Sequence, residues 1–309
     1  MNSRVLSTPR GDVHHAVTEK IVAAIEAGVG EFVMPWHHRG PGIGRPTNAA
    51  TGNRYRGVNV VALWAEASLV GFGSGHWASY LQWQELGAQV RKGERGSTIV
   101  FYRETEPEDA PQLFTVEENG PAKRFVAKAF RVFNAQQVEG WTPPGQPEPL
   151  AKVDVLSHVE DVIAGTNATI RNGGSIACYR PELDRIDIPC RDVFIGSPTS
   201  TPTESYYATL LHELVHWTGA KHRLDRTFGS RFGDAAYAAE ELVAEIGAAF
   251  LCADLNVTNE PRQDHAAYLS FWLEILKSDA KAIFTAARLA NQASDYLFEL
   301  STPPIELAT

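Results

Sequence analysis

The stretch that most constrains this chain is Tyr206 to His222, YYATLLHELVHWTGAKH. Just upstream, Thr201-Pro202-Thr203-Glu204 supplies a hydroxyl for an N-cap, a proline for the first helical position and a carboxylate three residues after the cap. A helix is therefore predicted from about Pro202, with Gly219 as its stop. Inside it, His212 and His216 stand four residues apart, so both imidazoles leave one face about one turn from each other. That spacing suits two ligands of one Zn²⁺ at about 2.1 Å. Glu213, beside the first histidine, can take a proton from a water at the ion without binding the ion itself. The bland alternative is a wet polar face. Leu210, Leu211, Leu214 and Val215 argue against it, because polar groups in an apolar helix need partners.

A zinc on this pair needs a third protein ligand, and two candidates exist. Residues 212 to 222 spell H-E-x-x-H-x-x-G-x-x-H, which offers His222. That pattern is paired elsewhere with a methionine turn downstream, whereas the only methionines here are Met1 and Met34. The second candidate lies in AAYAAEELVAEIGAAFLCADL, a helical run with Asp234 as its expected N-cap. At helical spacing Ala238, Glu241, Leu242, Glu245, Ala248, Ala249 and Cys252 share one face, so two carboxylates interrupt a small, apolar stripe. In the thermolysin-like arrangement a helix after HExxH supplies a glutamate ligand, and an acid four residues later orients a ligating histidine. Glu241 fits the first role and Glu245 the second, while Glu240 faces away from Glu245. The missing methionine and the acid pair favour Glu241 over His222.

The 309 residues suffice for two domains. No run approaches a membrane span and the N-terminus lacks an apolar signal core, so a cytoplasmic protein is expected. Cys178, Cys190 and Cys252 have no metal spacing and read as reduced core thiols. A net charge of −9 argues against a nucleic-acid binder, but the charge is uneven. The first 144 residues hold 15 basic and 14 acidic side chains, the remainder 13 and 23.

The N-terminal part is expected to open with an amphipathic helix, Val13 to Ala27, followed by a Pro- and Gly-rich loop from Phe32 to Gly57. Helices are predicted over Val58–Ser68 and Trp77–Leu86, then a hairpin of Ser97–Arg103 and Arg124–Asn134 whose acidic tip looks disordered. Gly140 and TPPGQPEP mark a linker, dividing the chain into 1–144 and 145–309. Aromatics interleaved with arginines can grip single-stranded nucleic acid by stacking and phosphate contacts. The stacking candidates are Trp36, Tyr55 and Trp77, and the phosphate candidates Arg45, Arg54, Arg56, Arg91, Lys92 and Arg95. Trp64 and Trp83 read as core. In the second part a helix is expected over Leu156–Ile163, strands over Ser175–Tyr179 and Arg185–Ile188, and helices over His265–Lys277 and Asp279–Leu297. A strand beside the HExxH helix can bind an extended peptide by edge pairing.

YRGVN at 55 to 59, the run from Trp77 through Trp83, Glu85 and Gly87 to Gly96, and RVFNAQQVEG at 131 to 140 resemble the N-terminal domain of the ArdC antirestriction family. HELVHWTGAKHRLDR at 212 to 226, EELVAEIGAAFL at 240 to 251 and the terminal helices are similar to that family's metallopeptidase-like domain. The same first domain occurs in plasmid primase-associated proteins of the TraC type. The resemblance implies a conjugative-plasmid or phage-related protein. Its first domain would bind single-stranded DNA and its second would be zincin-like, together shielding incoming DNA from host restriction. It also implies Glu241 as the third ligand.

The expected fold class is thus α+β in two domains, 1–144 a single-stranded DNA-binding module and 145–309 a zincin-like metallopeptidase fold around the HExxH helix. The expected cofactor is Zn²⁺, and the expected partners are single-stranded DNA and, if the site is catalytic, a host restriction component or other protein substrate. The alternatives are a DNA-recruited protease and a regulator acting through protein contacts alone.

Overall fold

A computed structural model describes residues 12–28, 44–105, 114–116, 123–143, 152–194, 200–226, 235–257 and 266–301. Helix α1 (Asp12–Gly28) leads to strand β1 (Thr47–Asn48) and helix α2 (Val58–Val70). The sequence of α2 is apolar almost all round, VNVVALWAEASLV, and nine of its residues are buried, as befits a helix enclosed by its neighbours. Strand β2 (His76–Ala78) precedes helix α3 (Tyr80–Glu85). The predicted Trp77–Leu86 helix is thereby corrected. Ser79 and Gln82 close a capping box that starts the helix at Tyr80 and leaves Trp77 in a strand.

Strands β3 (Gln89–Val90), β4 (Ser97–Thr105), β5 (Phe114–Val116), β6 (Lys123–Asn134) and β7 (Val138–Glu139) follow. One sheet has the order β1-β2-β6-β4, with β5 pairing β6, and β3 pairs β7 separately. The predicted hairpin is the long antiparallel β4–β6 ladder. Part of its supposedly disordered tip, Phe114–Val116, pairs with β6 instead.

Helix α4 (Lys152–Gly165) opens the second part. Strands β8 (Thr169–Asn172), β9 (Cys178–Arg180) and β10 (Arg185–Ile188) form a sheet of order β8-β10-β9, so β8 and β9 are its edges. Helices α5 (Pro202–Thr218), α6 (Ala235–Asp254), α7 (Ala266–Ser278) and α8 (Ala282–Ser301) complete the chain. The α5 cap is as its sequence dictates. The Thr201 hydroxyl accepts from the Glu204 amide while the Glu204 carboxylate accepts from the Thr201 amide, with Pro202 in the first turn. Gly219 ends the helix in a right-handed conformation rather than the left-handed one its type suggests.

The largest cluster of buried apolar side chains runs through both parts, from Ile21, Leu63 and Trp64 to Leu211, Phe250 and Leu297. Trp64 meets Phe250 with ring centroids 5.7 Å apart. A smaller cluster around Trp83 packs under α3. Of the three cysteines only Cys252 is buried, Cys178 being intermediate and Cys190 exposed, so the expectation of three core thiols is corrected. Among the described residues no helix is long and apolar enough to cross a membrane.

Candidate metal centre

Helices α5 and α6 bring His212, His216 and Glu241 together, with one donor atom from each lying within 4.8 Å of the others. His212 Nε2 is 3.4 Å from Glu241 Oε2, and His216 Nε2 is 3.5 Å from Glu241 Oε1. Ligands about 2.1 Å from a tetrahedral ion stand roughly 3.4 Å apart, so these separations would accommodate a metal ion. The donor set, two imidazoles and one carboxylate, suits a divalent ion with open positions.

The outer nitrogens complete the pattern. His212 Nδ1 faces Glu245 Oε2 at 3.5 Å, and His216 Nδ1 faces Glu240 Oε1 at 3.3 Å. Each imidazole thus turns one nitrogen inward and offers the other to a carboxylate, which fixes ring orientation and raises ligand basicity. Sequence reasoning missed Glu240. It sits about 100° round α6 from Glu241, and His216 lies a turn farther along α5 than His212, so adjacent acids reach different atoms of one histidine.

Glu240 is held by Arg226, whose Nε and Nη2 lie 3.1 and 2.8 Å from its two carboxylate oxygens. The same guanidinium donates to Thr218 Oγ1 at 2.7 Å and to the Val215 carbonyl at 2.6 Å. It therefore ties the last turn of α5 to the first turns of α6. Arg226 lies in HRLDR, but no local spacing links it to Glu240.

Charge balance at the cluster favours a cation. Burial opposes protonation of His216, but its contacts with Glu240 and Glu241 outweigh burial and push its pKa up to about 10. Burial alone would raise Glu241, yet the hydrogen bonds from His212 and His216 hold its carboxyl far below the ordinary carboxylate range. Carboxylates gathered round two imidazoles take up either protons or a metal ion.

Glu213 is buried beside this cluster, and its Oε2 accepts a hydrogen bond from the Tyr179 amide of β9 at 2.8 Å. His222 lies elsewhere. Its side chain is 63% exposed and its Nε2 is 3.2 Å from Asp184 Oδ2, in a contact group with Arg223 and Tyr179. Arg223 holds the Asp184 carboxyl down at about 2.

The nucleic-acid candidates fare unevenly. Trp36 lies outside the described residues. Trp77 and Tyr55 are 1% and 6% exposed, so neither ring is available for stacking. Arg45 is buried, with Nη1 2.7 Å from Asp254 Oδ2 and Nη2 2.6 Å from Asn291 Oδ1, which makes it part of the core rather than a phosphate contact. Arg54, Arg56, Arg91, Lys92 and Arg95 are exposed. Three of these are already paired, Arg54 with Asp254, Arg56 with Asp295 and Arg91 with Glu94. The proximity of an acid in the other half of the chain was invisible to a local reading of the loop. Trp64 and Trp83 are buried as expected.

Comparison with known proteins decides the family. Residues 11–133 match the N-terminal domain of anti-restriction factor ArdC, and residues 157–289 match the zincin-like metallopeptidase family. The crystal structure of Mn(II)-bound antirestriction ArdC from plasmid R388 shares 38% identity at a TM-score of 0.74, covering 94% of this chain and 99% of that one. The chain belongs to the ArdC antirestriction family. The uncharacterized protein y4eC of Sinorhizobium fredii is 46% identical over 295 residues, covering 95% of this chain and 94% of its own. The Escherichia coli DNA primase TraC is 34% identical over 313 residues, but the chain spans only 20% of that protein's length. The two family-model matches flank the Pro-rich stretch near residue 144, and His212, His216 and Glu241 lie within the second.

Proposed function

We propose that this ArdC-family protein shields incoming DNA from host restriction in the cytoplasm, binding single-stranded DNA through segment 1–144 and holding Zn²⁺ in segment 145–309. The observation that carries the metal half is the meeting of His212 Nε2, His216 Nε2 and Glu241 with carboxylates behind both rings. The Mn(II)-bound R388 relative supports a divalent ion in this fold. The DNA half is supported by family membership, by the TraC relative's name and by exposed Arg54, Arg56, Arg91, Lys92 and Arg95 in an otherwise acidic protein.

A divalent ion held by His212, His216 and Glu241 would supply a Lewis acid that makes a water at the site more acidic. The chain's own groups are arranged to use that. Glu213 accepts the proton of an attacking water and can pass it to a leaving amine. The Tyr179 amide fixes one oxygen of the carboxylate, so its orientation is set before any substrate arrives. This placement favours a second reading, in which the protein cleaves a host restriction component held along β9.

Glu213→Gln, assayed for protection of transferred DNA in a restricting host, separates the two readings. Protection retained with the metal still bound supports the DNA shield. Protection lost, with metal and DNA binding intact, makes proteolysis the working mechanism.

A further inference from the structure

Strand β6, KRFVAKAFRVFN, carries Lys123, Arg124, Lys128 and Arg131 and no acidic residue, in a protein whose net charge is −9. Its register with β4 sets Phe101 opposite Lys128 and Ile99 opposite Phe130. Directly opposed residues, and residues two apart along a strand, share a face, so these four positions lie together. Ile99 is buried, whereas Phe101 and Phe130 are 51% and 48% exposed. The two rings meet edge to face, with centroids 5.5 Å and planes 83° apart. Each restrains the other while about half of each ring stays in water.

Two exposed rings held edge to face beside a lysine offer a flat apolar surface next to a cation, a combination suited to binding. Arg131 belongs to the other face, opposite Thr98, where it donates to the Gly96 carbonyl at 2.9 Å.

The geometry points to this face of the β4–β6 ribbon as a stacking platform for the bases of single-stranded DNA, with Lys128 beside it for the phosphates. The assignment rests on the single-stranded DNA reading above and moves its aromatic contacts from Tyr55 and Trp77, which are buried, to Phe101 and Phe130. A duplex keeps its bases stacked inside and presents no base face to a phenyl ring, whereas an unpaired strand does. Phosphate binding alone would leave the two rings without a role. Arg54 and Arg56 are weaker anchors, because a phosphate there must first displace Asp254 and Asp295.

The test uses the full-length protein with a labelled oligothymidine and the matching duplex across a salt series. The unmutated protein is expected to prefer the single strand. Phe101→Ala with Phe130→Ala should weaken binding by on the order of tenfold or more per ring, with the salt slope unchanged. Phe101→Tyr with Phe130→Tyr should bind as the unmutated protein does. Phe101→Leu with Phe130→Leu keeps apolar bulk without a ring face, so it should lose affinity even if the alanine pair folds poorly. Lys128→Ala should reduce the salt slope by about 0.7. Tight single-strand binding by the unmutated protein that survives the leucine pair overturns the platform and leaves the DNA reading standing. No single-strand binding by the unmutated protein overturns both. A ribbon that joins two copies of the chain would instead lose a dimer in sedimentation on leucine substitution, with DNA affinity intact, and that result also overturns the platform.

Discussion

Glu240 shows how much of a candidate metal site lies behind the residues that would bind the ion. It holds the outer nitrogen of His216, and Arg226 holds Glu240 in turn, both groups being buried. Glu240→Ala leaves Arg226 an uncompensated buried charge and His216 free to turn. Metal affinity should fall 10- to 100-fold, and the metal-free protein should lose about 3–5 kcal/mol of stability, read by metal titration and urea unfolding. His222→Ala should leave metal affinity unchanged, since His222 contacts Asp184 outside the cluster. The proton on His216 gives a further test. With its pKa at about 10 in the metal-free state, His216 is protonated at neutral pH and must lose that proton to bind a metal. Metal affinity should therefore rise with pH, by about tenfold per unit between 7 and 9, and calorimetry in buffers of different ionisation enthalpy should show proton release. An affinity flat over that range would contradict the charge balance described here.

At the scale of elements, the site depends on how closely α5 and α6 approach. A Cβ on Gly247 would lie 2.9 Å from one methyl of Val215 and 3.0 Å from the other, and a β-branched neighbour in a packed interface gives little. Gly247→Ala should push the helices apart, at a cost of about 1–3 kcal/mol, and weaken metal binding along with stability; a variant as stable and as metal-avid as its parent would rule out the close crossing. The α5 helix was legible because its signals are local, the Thr201 cap, Pro202 and the four-residue histidine spacing. The Glu241 and Glu245 pair on α6 was legible because helical periodicity puts both on one stripe. What was not legible depended on contacts across the chain. The strand at Trp77 comes from pairing with β1 and β6, the strand at Phe114 from pairing with β6, and Glu240's role from the crossing of two helices.

Across the whole molecule, helix α6 joins the halves. Its early turns carry Glu240, Glu241 and Glu245, and its last residue, Asp254, lies 2.7 Å from Arg45 and 2.8 Å from Arg54. The composition shift and prolines near residue 144 are local features of the sequence, whereas the burial of Arg45 against Asp254 and Asn291 was not readable there. Because the main apolar cluster draws on both halves, unfolding should follow one cooperative transition when watched at several probes. Asp254→Ala should lower that transition by about 3–5 kcal/mol through the stranded Arg45. The measurement that bears most directly on the metal site is zinc content per chain after dialysis, compared among the unmutated protein, His212→Ala, Glu241→Ala and His222→Ala. One zinc per chain is expected in the unmutated protein and in His222→Ala, with loss in the other two. Zinc retained by Glu241→Ala and lost from His222→Ala would contradict that expectation.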